Sequence, residues 1–374
     1  MTLDEIRNEI NEIDKKLLPL FIARMDCAKK VAAIKKKQNL PVFQAGREQD
    51  ILDKVQGEAG EYGGNARILF SNLMEISRAI QHSLLSSGNE LRSQIEAADT
   101  VPLKAGKIAC LGESGSNSHE ALIHLFPKAS PRFYSSFSEI FAAVEDGTSD
   151  LGLLPVENSS AGSVSEVYDL ILKYRFYIIS ASTMHIHHCI AASQNVSINS
   201  IGTVYSHPQA LAQCSDYIAA HDMHPLPCSS TTAAAQDVST RKEPAIAAIC
   251  SERAAKEHGL SVLDRNIENN SNNCTRFIVI SKRLFIPEDA QKISLCFSIA
   301  HKTGTLYSVL SRFAAAGLNL TKIESRPIEG KTFEYDFYLD FAGNVHEKHT
   351  LDLICALYDE LPRFSFLGNY TEAE

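Results

Sequence analysis

The sequence predicts a multidomain chain with an all-α segment, an α/β segment and an α+β segment of ferredoxin-like plan, in that order. Three observations predict it. Apolar residues recur at helical spacing from residue 1 to about 90, with no convincing strand. From Lys107 short apolar runs alternate with helical stretches. From Lys292 to the end the pattern reads β-α-β-β-α-β.

In the first segment Ile6, Ile10, Ile13, Leu17 and Leu20 mark a helix that continues to about Lys37, with a local kink expected at Pro19. "NLPVF" breaks it. A second helix starts near Arg47 and stops at "GEAGEYGG", and a third runs from about Asn65 to Ser86. A first helix some 35 residues long spans about 50 Å, too long to bury its apolar face in one small monomer. An intertwined dimer is the expected solution. Residues 88–104, "GNELRSQIEAADTVPLK", read as a connector.

The α/β segment carries "KIACLG", "DLGLLPVEN", "IGTVYS" and "AIAAICS" as strands, each followed by polar or glycine-containing turns. Ligands of such sheets sit beyond strand ends. In the last segment "KISLCFSIA" is a strand and "GTLYSVLSRFAAAG" a helix ending at Gly317. "LNLTKIESRP" and "FEYDFYLDFAG" are strands, "VHEKHTLDLICALYDEL" a helix and "FSFLGNY" the final strand.

The 374 residues suit two or three domains, and 44% hydrophobic with 22% charged residues is a globular balance. A formal net charge of -9 disfavours nucleic acid or an anionic membrane as partner. The start "MTLDEIRNEI" is not a signal peptide, and no run reaches the roughly 18 apolar residues of a membrane span. Nine scattered cysteines without C-x-x-C indicate reduced thiols in the cytoplasm.

Arg24, Ala28, Val31 and Lys35 lie on one helical stripe, whereas Arg7 points roughly 100° away and would serve another pocket, such as one in a partner chain. Arg47 and Glu48 open the second helix, and Ser77 and Gln81 are an i, i+4 pair on the third. Read singly, such residues are solvated charge on amphipathic helices. Together, "LDEIRNEINEIDKKLLPLFIARM", "KKVAAIKKKQNLPVF", "REQDIL" and "ISRAIQ" resemble the all-helical chorismate mutase family over residues 3–85. The resemblance implies an intertwined dimer that rearranges chorismate to prephenate. It assigns Arg7 of the neighbouring chain, Arg24 and Arg47 to the substrate carboxylates, which suit guanidinium forks. Lys35 and Gln81 become donors to the ether oxygen, where negative charge grows as the C–O bond breaks. Glu48 contacts the hydroxyl, and Ser77 belongs to the same set. Gln44 stands where some members have Asp, and its amide can still reach a hydroxyl.

In the α/β segment the strand-end pieces are "LGESGSNSHEA", "PVENSSAGSV", "YSHPQALAQC", "STTAAA", "SERAA" and "NNCTRF". "HIHHC" offers His185 and His187 on one face, but no third metal ligand is evident, and no G-x-S-x-G elbow supports a serine nucleophile. The ordered set resembles prephenate dehydratase over residues 105–282. That resemblance implies two α/β lobes like type 2 periplasmic binding proteins, with the site in the cleft. Thr275 corresponds to the hydroxyl donor, giving either a proton or only a hydrogen bond to the leaving oxygen. Arg276 is the carboxylate anchor, and Asn158, Ser206 and Gln213 are other pocket positions. Neighbours on a strand face opposite ways, so a bend is expected at Thr275–Arg276.

"GTL" (Gly304, Thr305, Leu306) and "ESRP" (Glu324, Ser325, Arg326, Pro327) resemble the phenylalanine-binding motifs of the ACT domain, with Thr305 where Ala is usual. The implied whole is a bifunctional enzyme of phenylalanine biosynthesis, chorismate mutase and then prephenate dehydratase. It needs no metal or cofactor and is inhibited by phenylalanine. An arogenate-using second step and a non-catalytic amino-acid-binding protein remain the alternatives. The Arg24, Lys35 and Gln81 set argues against the binding protein.

Overall fold

The computed structural model describes residues 1–373 except 86, 101–105, 329 and 332. The expected last residue of the third helix, the end of the expected connector and residue 105 lie outside the described residues. The chain forms two compact units, one of residues 1–98 with 292–366 and one of residues 99–291 with 367–374.

In the first unit, helix α1 (Leu3–Gln38) starts on a capping box. The Thr2 side chain accepts from the Glu5 N–H while Glu5 reaches back to the Thr2 amide. Asp4 and Glu5 in the first turn and Lys35–Lys37 in the last complement the helix dipole. Pro19 lies inside this helix without ending it. Leu3, Ile6, Ile10, Ile13 and Leu17 remain exposed, an apolar face along about 21 Å of the helix that this chain alone leaves uncovered. Helices α2 (Ala45–Glu58) and α3 (Gly63–Leu85) complete the hairpin, and α3 buries Met74, Glu75, Arg78, Gln81 and His82. Four of those five are polar, so this helix carries an interaction network rather than an oily stripe.

The expected connector contains a helix, α4 (Asn89–Glu96), which corrects the loop assignment. Leu91 and Ile95, one turn apart, are both buried, and Arg92 pairs with Asp352 at 2.7 Å. At its start Gly88 adopts φ +67°, and a Cβ there would lie 2.7 Å from the Cβ of Cys355. Only glycine permits both the left-handed backbone and this approach. The polar letters around Leu91 and Ile95 hid a two-residue apolar anchor.

Strands Lys292–Ser298, Leu320–Pro327, Tyr335–Ala342 and Arg363–Ala373 alternate with helices Thr305–Ala315 and Lys348–Glu360 in the expected β-α-β-β-α-β order. The sheet places Leu320–Pro327 at its edge, then Tyr335–Ala342, then Lys292–Ser298 and then the last strand. The two helices of this C-terminal module pack on α3 and α4 within the first unit.

The second unit holds two sheets. In the first, Tyr177–His185, Cys274–Ser281, Leu151–Asn158, Lys107–Leu111 and Ser130–Tyr134 lie side by side. Ile108, Leu122, Leu151, Phe277 and Val279 fill its core. In the second, Ser261–Arg265, Cys189–Ala192, Ile246–Cys250, Thr203–Ser206 and His224–Pro227 are neighbours. The chain leaves the first sheet after Tyr177–His185 and returns at Cys274–Ser281, and these two strands pair antiparallel. The second lobe is therefore an insertion carried on two adjacent crossings. The lobes meet where the Ser251 hydroxyl donates to the Gly115 carbonyl at 2.9 Å. Gly115, at φ +88°, lets the Ala254 backbone approach so closely that a Cβ would stand 2.9 Å from it. Among the described residues no helix is long and apolar enough to cross a membrane.

Two candidate active sites

The helical site is built where α1, α2 and α3 converge. Arg24 is half-buried and donates from NH1 to the Leu73 carbonyl on α3 at 2.9 Å. Lys35, near the end of α1, donates to the Val42 carbonyl at 2.5 Å. Burial lowers the pKa of both side chains, and the Glu48 carboxylate opposes that shift in both. Gln81 is buried; its amide donates to the Ser77 carbonyl at 3.2 Å, while its Oε1 has no hydrogen-bond partner among the described residues. Gln44 caps α2 through its backbone alone and is half-buried, and Arg47 is exposed. Arg7 stands apart at the exposed start of α1, paired with Asp4 at 3.4 Å.

Sequence reading missed Arg78. It lies one residue after Ser77, is 5% exposed, and donates to Glu48 and to Glu75. Its guanidinium also covers the Phe43 ring at 5.0 Å. Burial opposes its charge, but Glu75, Glu360 and Glu48 outweigh burial and raise its pKa. An arginine on an amphipathic helix carries no sequence mark of burial. Its i−3 neighbour Glu75 was the available sign.

The site of the two-lobed unit gathers on strands Leu151–Asn158 and Cys274–Ser281. The Asn158 amide donates to Thr275 Oγ1 at 2.9 Å, to Asn273 Oδ1 at 3.1 Å and to the Cys274 carbonyl at 3.2 Å. Asn158 Oδ1 accepts from the Ser160 and Ala161 amides, both at 3.0 Å, which fixes its orientation. Thr275 and Arg276 pair in regular register with Asn158 and Glu157, and the register against Leu151–Asn158 shifts one step later, between Arg276 and Phe277, rather than at the expected Thr275–Arg276 step. Arg276 has partners that local sequence did not suggest: Nε binds Glu372 at 2.7 Å and NH2 binds the Tyr370 hydroxyl at 2.8 Å. Ser206 and Gln213 lie on the second lobe. The Ser206 hydroxyl is fully buried and donates to the Ile249 carbonyl at 2.6 Å. Gln213 Oε1 stands 3.0 Å from His188 Nε2, and burial lowers the pKa of His188. His187 bonds Glu268 at 2.8 Å. Among the described residues no cluster of three or more His, Cys, Asp or Glu could hold a metal.

In the C-terminal module Gly304 caps the Thr305–Ala315 helix at φ +86°, and Thr305 Oγ1 donates to the Ala300 carbonyl at 2.8 Å. Leu306 is half-buried. Glu324, Ser325, Arg326 and Pro327 end the edge strand, with Glu324 paired to Lys322 at 3.4 Å and Arg326 opposite Asp336.

A helical cluster of cations and amide donors, joined in one chain to a two-lobed α/β unit with an oriented hydroxyl, defines a bifunctional enzyme. Residues 6–82 match the family model for chorismate mutase type II, and residues 108–284 match that for prephenate dehydratase. The chain is 33% identical to the bifunctional chorismate mutase/prephenate dehydratase of Aquifex aeolicus (strain VF5), over 99% of its own length and 98% of that protein's. It is 30% identical to arogenate dehydratase/prephenate dehydratase 2 of Arabidopsis thaliana, over 83% of this chain and 84% of that one. Among solved structures, the prephenate dehydratase of Arthrobacter aurescens in complex with L-Phe matches with TM-score 0.66 and 30% identity, over 71% of this chain and 90% of that chain. The chain belongs to the bifunctional chorismate mutase/prephenate dehydratase family. It carries an isomerase and a lyase domain.

Proposed function

We propose that the helical site rearranges chorismate by electrostatics alone and that its product is dehydrated at Thr275. The observation that carries the first half is the gathering of the Arg24 and Lys35 cations around Glu48. An intramolecular rearrangement needs no nucleophile or proton shuttle. Arg24, Arg47 and the partner's Arg7 hold the two carboxylates, while Ser77 and Gln44 line the site. Lys35 and Gln81 donate to the ether oxygen as the C–O bond breaks, where their attraction grows with the developing charge. The uncovered apolar face of α1 supports an intertwined dimer, the arrangement that brings Arg7 to a second copy's site.

In the second step the ring C–OH bond breaks while the bond to the ring carboxylate supplies the electron pair. CO2 leaves, the departing hydroxide is hydrogen-bonded by Thr275 and takes a proton that solvent finally supplies to become water, and the ring becomes aromatic. The Asn158 amide occupies a lone pair of Thr275 Oγ1, so the Thr275 proton is directed elsewhere, toward a leaving hydroxyl. Accepting that bond also strengthens Thr275 as a donor. Glu372 and Tyr370 fix the Arg276 guanidinium, which anchors a carboxylate. Gln213 completes the pocket from the other lobe, and Ser206, buried and bonded to the Ile249 carbonyl, holds the strand end beside it. Relatives along the whole chain that are named for both chorismate mutase and prephenate dehydratase support prephenate as the second substrate.

The C-terminal module acts as an ACT domain that binds phenylalanine at Gly304–Leu306 and Glu324–Pro327 and lowers dehydratase turnover. Chorismate fed to the purified protein gives prephenate and then phenylpyruvate, and added phenylalanine slows the second conversion. Ser325→Ala weakens phenylalanine binding about 5- to 10-fold by calorimetry, the size of one lost hydrogen bond. An unchanged affinity, or chorismate left unconsumed, contradicts the reading.

A further inference from the structure

The buried charges on α3 do not end at the helical site. Glu75 binds Arg78, and it also binds Arg312 Nε at 2.5 Å and the Ser308 hydroxyl. Arg312 and Ser308 lie on the Thr305–Ala315 helix of the C-terminal module. Glu360, at the end of the Lys348–Glu360 helix, binds Arg312 and His82 and lies 3.6 Å from Arg78 Nε. The side chains of Arg78, Glu75, Glu360 and Arg312 are between 6% and 11% exposed. Buried ions in such a network tolerate few alternative arrangements, because moving one partner strands another in a medium that solvates charge poorly. At one end of the chain of contacts stands Glu48, the residue read as the hydroxyl contact of the mutase site.

We propose that Arg78 positions Glu48 for the substrate hydroxyl, and that Arg312 and Glu360 of the C-terminal module hold Arg78 in place, so that this module is a working part of the mutase site. The proposal rests on the mutase reading of Glu48. Arg78 takes Oε2 of Glu48 and leaves Oε1 to accept from the hydroxyl. Without its buried partners Arg78 would turn toward solvent, and Glu48 would lose its fixed rotamer. None of Arg78, Arg312 and Glu360 touches substrate. They are positioning residues.

The test is a double-mutant cycle on the full chain, read as mutase kcat/KM on chorismate. Glu360→Gln, which keeps shape and removes charge, lowers mutase kcat/KM about 10-fold and leaves dehydratase turnover within about twofold. In a Glu48→Gln background the same change costs less than about twofold, because the residue being positioned is already gone. A merely structural role would give the same loss in both backgrounds and so overturn the proposal, as would full mutase activity in Glu360→Gln. If Glu360→Gln loses dehydratase activity through misfolding, Arg312→Gln goes through the same cycle with the same two outcomes deciding. A Glu48→Gln chain with unchanged mutase activity overturns the role of Glu48 itself, and the proposal with it. Loss in Glu48→Gln with no coupling to Glu360 overturns the proposal alone.

Discussion

Lys35→Ala lowers mutase kcat/KM about 100- to 1000-fold, the effect of removing one donor aimed at a developing oxyanion. Lys35 is half-buried between α1 and the loop before α2, and its ammonium feels Glu48, Arg47 and Arg78. In the proposed role Lys35 meets a negative charge that grows on the ether oxygen only as the bond breaks, so the expected loss is in kcat rather than in KM alone. Dehydration of supplied prephenate stays within about twofold, since every dehydratase residue named above lies in the second compact unit. A steady-state assay of each step on its own substrate checks this. Equal loss of both steps would mean that the sites are not separate.

Thr275→Ala does the reverse. Dehydratase kcat falls about 100-fold or more, the range of a positioned proton or hydrogen-bond donor, and mutase turnover is unchanged. The fold survives, because Asn158 keeps its bonds to Asn273 and to the Cys274 carbonyl. Thr275→Ser, which retains the hydroxyl, recovers most of the activity. If Thr275→Ala dehydrates prephenate at the normal rate, the role given to Thr275 is wrong.

The sequence was legible where function depends on local spacing. Arg24 to Lys35 on one stripe and the β-α-β-β-α-β order both follow from helical and strand periodicity. It was illegible where partners come from far along the chain. Arg276 meets Glu372 and Tyr370, about a hundred residues on, and Arg78 meets Glu360 across nearly three hundred. No window of sequence holds both members of such a pair. The helix Asn89–Glu96 failed for a different reason: its apolar signal is only Leu91 and Ile95, and its stability comes from packing on Lys348–Glu360 rather than from its own composition.

If the two proposed sites work independently, prephenate made at one passes through solution to the other. The direct measurement mixes purified Lys35→Ala and Thr275→Ala proteins with chorismate and follows prephenate and phenylpyruvate over time. Each variant alone makes almost no phenylpyruvate, while the mixture makes it after a lag in which prephenate accumulates. A mixture that yields no phenylpyruvate, with each variant still performing its remaining step, would contradict that independence.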